Sequence, residues 1–314
     1  MSVLQANISE LMAVDLDHVL FESLGTYDYE MLLNAIFDVR DSKKRYEYGE
    51  TVGGFPIASV KDENESLDAR DWKQGYKTTY THKTLGFYNA ISLEAKMNEL
   101  HGIIEKLPQG MARAIDATIN YYTSRIFSRA DNATEDFITG GDGVALLSTS
   151  HPLKGGGTTS NTPSSGADLS ATSLWAGVTA FYEMLDDESK PVRNRPKTLL
   201  IPHQSEQVAI ELLQSDKFPE SANNAINALQ KLRERKLDYV VWPYWIGSVD
   251  SDCWFLLGDK AQWGKDYPLK FYWRLRPETE SDNDFFTKEF LYSIILMFST
   301  GYTDPRFLYG SMGG

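Results

Sequence analysis

The chain has 314 residues, with 31 Lys plus Arg against 44 Asp plus Glu and a net charge of −13 at pH 7. Its 42% apolar, 24% charged and 12% aromatic composition is that of a globular protein with a sizeable core, roughly two domains at about 150 residues each. The charge excludes a protein dedicated to gripping nucleic-acid phosphates. The single cysteine, Cys253, excludes an internal disulfide and fits a reducing compartment.

Glu10, Asp15, Asp17, Glu22, Asp28 and Glu30 fall in the first 30 residues, which carry no Lys or Arg. Neither the positive start nor the unbroken apolar stretch of a signal peptide is present. The apolar run Phe290 to Phe298 is far short of the ~20 residues that cross a bilayer. A soluble, cytoplasmic, acidic protein is the expectation.

Residues 1–42 read as a separate acidic arm. Ile8, Leu11, Met12, Leu16, Val19 and Leu20 recur at helical spacing, and Leu32, Leu33, Ile36 and Phe37 repeat the pattern after a hinge near Gly25. Each short amphipathic helix has an apolar face to bury against the body or another chain. Between 43 and 92 the texture is β-prone. Tyr76-Lys-Thr-Thr-Tyr-Thr-His-Lys-Thr84 is polar on both faces and predicts a long hairpin without a core of its own, which must lie on something else.

Helix returns at Ser92. Pro108 marks a boundary, and Met111, Ile115, Thr118, Ile119, Tyr122 and Ile126 then form a stripe predicting one long helix over 108–130. A polar connector, 131–142, leads to Val144-Ala-Leu-Leu147 and an exposed Gly/Ser/Thr/Pro-rich loop over 151–167. An α/β unit follows: a helix over 174–185, a buried strand at 198–201, a helix from a Ser205 cap to Leu213, and strands at 237–242 and 254–257. Phe285 to Phe298 predicts a long strand or strand pair.

No constellation demands a reaction. His151 lies near Ser148 and Ser150, but no Gly-x-Ser-x-Gly elbow surrounds them. The histidines at 18, 82, 101, 151 and 203 have no metal-ligand spacing. Lys154-Gly-Gly-Gly157 lacks the Gly-Lys-Ser/Thr ending of a phosphate loop and reads as a turn. The acid pairs Asp186-Asp187 and Glu63/Glu65 are expected by chance among 44 acids, with solvated surface the default. Asn7, Asn64 and Asn132 head glycosylation-type triplets without meaning in an unsecreted protein. Trp242, Tyr244, Trp245 and Trp254 could stack sugars or bases, but core or interface packing is the simpler expectation. No catalytic residue, cofactor or metal is predicted, and a chain with an apolar-faced arm and a coreless hairpin is expected to assemble.

Leu147-Ser-Thr-Ser-His-Pro-Leu-Lys-Gly-Gly-Gly157, Arg195-Pro-Lys-Thr-Leu-Leu-Ile-Pro202 and Trp254-Phe-Leu-Leu-Gly-Asp259 resemble successive landmarks of Mu-like tailed-phage major head proteins. Tyr76 to His82 and the helix from Leu107-Pro108 to Arg129 resemble that family's extended loop and spine helix. Asp304-Pro-Arg-Phe-Leu-Tyr-Gly310 resembles its last peripheral-domain strand. The order holds over roughly residues 40–310.

The resemblance implies an α+β chain of the Hong Kong 97-type phage capsid fold. The arm would occupy 1–42 and the extended loop 43–92. The peripheral domain would take 93–142 and 263–314, with the spine helix at about 108–130, and the axial α/β domain 143–262. It implies a major capsid protein, not an enzyme, forming hexamers and pentamers of an icosahedral head shell around packaged double-stranded DNA, held without sequence-specific binding. The implied partners are further copies of itself, a scaffold or maturation protease, a portal and decoration proteins, with no membrane. The implied location is the virion, after assembly in the host cytoplasm. Trp72, Tyr76, Tyr80 and Tyr88 of the loop, and Leu11, Leu16, Leu32 and Phe37 of the arm, are the expected inter-subunit contacts. Some members cross-link loop lysines to a neighbour's asparagine; Lys73, Lys77 and Lys83 are available but are not expected to react. Two rivals are an encapsulin-like compartment holding a cargo enzyme and an aromatic-rich carbohydrate-active hydrolase or binding protein.

Overall fold

The computed structural model describes residues 3–27, 29–54, 56–64, 66–67, 69, 71, 74–92, 94–95, 98, 103–132, 140–192, 194–217, 226–232, 236–244 and 252–314. In chain order the elements are α1 (Val3–Tyr27), α2 (Tyr29–Ile36), β1 (Asp38–Asp41), β2 (Tyr46–Val52), β3 (Gln74–Thr81), β4 (Lys83–Ile91) and α3 (Ile103–Ser128). Next come β5 (His151–Pro152), β6 (Thr158–Thr159), α4 (Ala171–Glu183), β7 (Pro196–Pro202), α5 (Glu206–Gln214), β8 (Asp238–Trp242) and β9 (Trp254–Gly258). The chain closes with α6 (Lys260–Trp263), β10 (Leu269–Asn283), β11 (Phe290–Tyr302) and β12 (Leu308–Ser311). Two compact units are built from these. One comprises Met1–Glu47, Thr81–Thr123 and Phe271–Ser299; the other comprises Tyr48–Tyr80, Ser124–Lys270 and Thr300–Gly314.

The first unit is organised on a sheet of order β1-β10-β11-β4. β11 and β4 run antiparallel, from Phe290 opposite Ile91 to Phe298 opposite Lys83. Alternation along β11 sends Tyr292, Ile294, Leu296 and Phe298 inward. There Phe298 stacks on Phe271 at 5.0 Å between centroids, with Trp273 at 5.8 Å and Tyr122 of α3 at 6.2 Å. Phe37, just after α2, packs edge-on against Phe271 at 6.3 Å. Offset and edge-to-face geometry adds about 0.5–1.5 kcal/mol per pair to the burial of such rings.

The two expected helices are present, but α1 runs two residues beyond Gly25 to Tyr27, and α2 begins at Tyr29. Leu16, Leu20 and Leu24, spaced by four, are all buried along one stripe of α1 that reaches the residue before Gly25. That burial outweighs the ~1 kcal/mol a helical glycine costs. The arm is also not separate, since these leucines and Leu33, Ile36 and Phe37 are part of the unit's core.

The long helix starts five residues before the expected boundary and contains Pro108. As the sixth helical residue Pro108 forfeits the bond to the Ile104 carbonyl, near an end where bonds are incomplete anyway. Met111, Ile115, Ile119 and Ile126 of the predicted stripe are buried. At about 1.5 Å per residue the helix is about 39 Å long.

The second unit holds a sheet of order β12-β9-β7-β8. β7 and β8 are parallel, joined through α5 as a βαβ crossover, while β9 is antiparallel to β7 and β12 to β9. β9 reads Trp-Phe-Leu-Leu-Gly and is buried throughout, as a strand covered on both faces must be. On one face Leu174, Val178 and Phe181 of α4 and Ala209, Leu212 and Leu213 of α5 pack on Leu199, Ile201, Trp254 and Leu256. On the other, Phe127 meets Phe255 at 5.4 Å and Trp242 at 6.2 Å. Gly177 lets α4 approach closely; a Cβ there would sit 3.0 Å from Leu256.

Three further expectations are corrected. Residues 304–310 do not join the returning strands of the peripheral domain, because β12 pairs with β9, Leu308 opposite Leu257. Phe285 to Phe298 is not continuous strand: 284–289 is a turn in which the Asp284 carboxylate accepts from Phe286 N at 2.7 Å, and Asp284 N donates to Glu289 O at 2.9 Å. Ser205 stands at the N-cap of α5 without a side-chain capping bond, because a 3-10 turn, His203–Ser205, leads into the helix.

Candidate functional site

Chemistry-bearing side chains gather in the second unit, around His151. His151 is buried; its Nδ1 lies 2.7 Å from Asp142 Oδ2, and its Nε2 lies 3.3 Å from Leu146 O and 3.2 Å from Asn161 Oδ1. Asn161 is oriented by its own bonds, Nδ2 donating to Leu146 O at 2.6 Å and Oδ1 accepting from Ser148 N at 2.9 Å. Both ring nitrogens therefore face oxygen atoms of the surrounding loop. Nucleophile activation needs a hydroxyl at one of them. Ser148 Oγ instead accepts from Ser150 N at 3.1 Å, so the cluster staples a loop.

Asp304 and Arg306 adjoin this cluster. Arg306 Nε donates to Asp304 Oδ1 at 2.8 Å and Nη2 to Oδ2 at 2.6 Å, a bidentate pair with both side chains buried. Burial alone would lower the Arg306 pKa, but the charge and hydrogen bonds of Asp304, helped by Asp187 and Asp186, raise it above its usual value. The Arg306 carbonyl accepts from Asn194 Nδ2 at 2.7 Å. Asp186 accepts from Glu188 N at 2.8 Å and Lys190 N at 2.9 Å, so it shapes its own turn. Glu63 is exposed, and Glu65 lies outside the described residues.

Lys154 to Gly157 is a tight turn between β5 and β6, closed by Leu153 N to Gly157 O at 3.1 Å, with Gly156 and Gly157 at φ 100° and 88°. A Cβ at Gly155 would collide with the Asp187 carbonyl, so these glycines serve close packing. Trp242 and Trp254 are core side chains, Trp254 Nε1 donating to Ala167 O at 2.9 Å, which removes both from any stacking platform. Tyr244 is half-buried, and Trp245 lies outside the described residues. Among the described residues no group of three or more His, Cys, Asp or Glu is placed to hold a metal ion, and no helix is long and apolar enough to cross a membrane.

The residues expected at inter-subunit contacts divide. Tyr88, on the edge strand β4, is 69% exposed, while Tyr76 and Leu32 are half-buried. Tyr80, Leu16 and Phe37 are corrections, because all three are buried within their own chain. Tyr80 is 2% exposed, with its hydroxyl 2.7 Å from Thr303 Oγ1. Alternation in β3 turns Thr78 and Tyr80 inward, so the strand has an inner face that the composition concealed. Trp72 and the Leu11 side chain lie outside the described residues. Sequence reasoning missed other exposed apolar groups: Val14 and Phe21 on α1, Ile57, Val60 and Leu67 between β2 and β3, and Phe285 with Phe286 at the β10–β11 turn. The signal for the last pair was Asp284, a turn former placed directly before them.

A site that is all staples, with apolar side chains left at the surface, is what an assembling subunit presents. A sequence model of the family described as phage capsid protein matches residues 75–311. The chain belongs to the phage capsid protein family. No curated protein matches it. Among solved structures, the capsid of cyanophage P-SCSP1u is similar at TM-score 0.55 and 9% identity, over 87% of this chain and 85% of that one. Microbacterium phage Oxtober96 gives TM-score 0.56 at 9% identity, with 90% of each chain covered. The capsid of the native GTA particle, computed with C5 symmetry, gives TM-score 0.56 at 11% identity and 90% of each. The phage capsid chain thus has the Hong Kong 97-type fold, and its role is to build a head shell. The match names the phage capsid protein family and does not single out a Mu-like branch.

Proposed function

We propose that this capsid protein is the repeating, non-catalytic subunit of a tailed-phage head, arranged in hexamers and pentamers around double-stranded DNA. The family match over residues 75–311 carries the reading. The net charge of −13 supports a lining that does not grip phosphates, leaving small cations to balance the packaged DNA. In this proposal Tyr88 of β4 and the exposed Ile57, Val60 and Leu67 lie against a neighbouring copy, and the half-buried Tyr76 and Leu32 border those contacts. A scaffold or maturation protease, a portal and decoration proteins complete the virion, which forms in the host cytoplasm.

The test is nuclease treatment of particles purified from producing cells, followed by extraction of what they enclose. Protected double-stranded DNA is the expected content. Particles filled with one enzyme and free of DNA would reassign the shell to a protein-storing compartment.

A further inference from the structure

Asp187 carries a polar atom that the rest of the buried cluster does not serve. Its side chain is 3% exposed, and its Oδ1 accepts from Lys154 N at 3.0 Å. Oδ2 is buried without a hydrogen bond; the Arg306 guanidinium stands 3.7 Å away with its fork committed to Asp304. A buried carboxylate oxygen needs a donor at hydrogen-bond distance, because it has left its hydrogen bonds to water and the Arg306 charge at 3.7 Å does not replace them.

Beside Asp187 is a cavity of about 20 Å³, walled by Thr51, Tyr76, Asp142, His151, Asp187 and Arg306 among others. That volume suits one water molecule, and the wall offers the two to four polar partners such a molecule requires. We infer that this cavity is a binding site for a single ordered water that donates a hydrogen bond to Asp187 Oδ2. The chemistry favours water over a cation: positive charge is already supplied by Arg306, and what Oδ2 lacks is a close donor. The Tyr76 hydroxyl, whose pKa is raised by burial and by the charges of Asp142 and Asp187, belongs to the same negative surroundings. The water joins the Asp187 turn to the loop carrying Asp142 and His151 and to the 304–306 segment, which otherwise meet through the side chains described above.

The experiment is a density map of the full chain, in shells or crystals, at a resolution that shows ordered solvent. A peak about 2.7–3.2 Å from Asp187 Oδ2 is expected. A blank cavity beside well-defined Asp187 and Arg306, or Arg306 donating directly to Oδ2, overturns the inference. Thermal melts of the wild-type chain in sodium chloride and in choline chloride at equal ionic strength give a second readout, with equal midpoints expected. A lower midpoint in choline, abolished by Asp187→Asn, would identify a bound metal ion and also overturn it. If Asp187→Asn does not fold, the wild-type map and the wild-type salt comparison still decide.

Discussion

Asp17 accepts a 2.6 Å hydrogen bond from the hydroxyl of Tyr292, 275 residues further along the chain. The same carboxylate oxygen accepts from Thr279 at 2.7 Å, so α1 is fastened to both strands of the β10–β11 hairpin. Tyr292→Phe removes one bond and leaves Thr279 in place. The expected cost is about 1–2 kcal/mol by chemical denaturation. Burial, then the hydrogen bond and charge of Asp17, raise the Tyr292 pKa above its usual value. The folded state thus holds this proton more tightly than the unfolded one. Its contribution is complete below about pH 10, the unfolded pKa, and fades as pH rises beyond it. The phenylalanine variant should lose stability less steeply above pH 10 than the wild type.

His82 is expected to contribute to the loss of stability in mild acid. It lies between β3 and β4, with Nδ1 3.0 Å from Ser299 Oγ and Nε2 buried without a hydrogen bond. Burial, then the nearby Arg274, lower its pKa, while Glu47 opposes them. The unfolded state takes up this proton first. Stability is full above about pH 6.5 and declines as pH falls through that value toward the lower folded pKa. Melting midpoints of the wild type should drop between about pH 6.5 and pH 5, and His82→Gln should flatten that slope. An identical slope in the variant would assign the acid sensitivity to other groups.

Helix and strand positions with strong periodicity were legible in the sequence. The stripe Met111, Ile115, Ile119 and Ile126 marked α3, and the unbroken apolar runs marked β7 and β9. What was not legible depends on partners far along the chain. Tyr80 looked available because its neighbours are Thr and Lys, yet Thr303 lies 2.7 Å from its hydroxyl. The 304–310 segment looked like a peripheral strand, yet its partner is β9. Local pattern shows which residues need burial but not against what. The Asp142–His151 and Asp304–Arg306 pairs carried no local signal, because their spacing matches no catalytic or metal pattern.

Arg306→Ala leaves Asp304 and Asp187 buried beside each other without their shared cation. A loss of about 3–5 kcal/mol is expected, a large fraction of a typical folding stability. Equilibrium denaturation or the yield of soluble chain measures it. A variant within about 0.5 kcal/mol of the wild type would mean that the pair contributes geometry rather than stability.

Exposed and buried residues of the extended region should separate assembly from folding. Tyr88→Asp alters an exposed position on an edge strand, so it should fold normally and assemble poorly. Tyr80→Asp buries a charge and should fail to fold. Removing residues 1–40 deletes Leu20, Leu33, Ile36 and Phe37 from a core, so that truncation should fail in folding before assembly can be judged. Circular dichroism with sedimentation velocity distinguishes these outcomes.

The central claim is that this chain builds shells, and negative-stain electron microscopy of the expressed chain, fractionated by size, with and without its neighbouring genes, tests it most directly. Rings, tubes or closed shells are the predicted result. A chain that stays monomeric even beside a candidate scaffold would contradict the account.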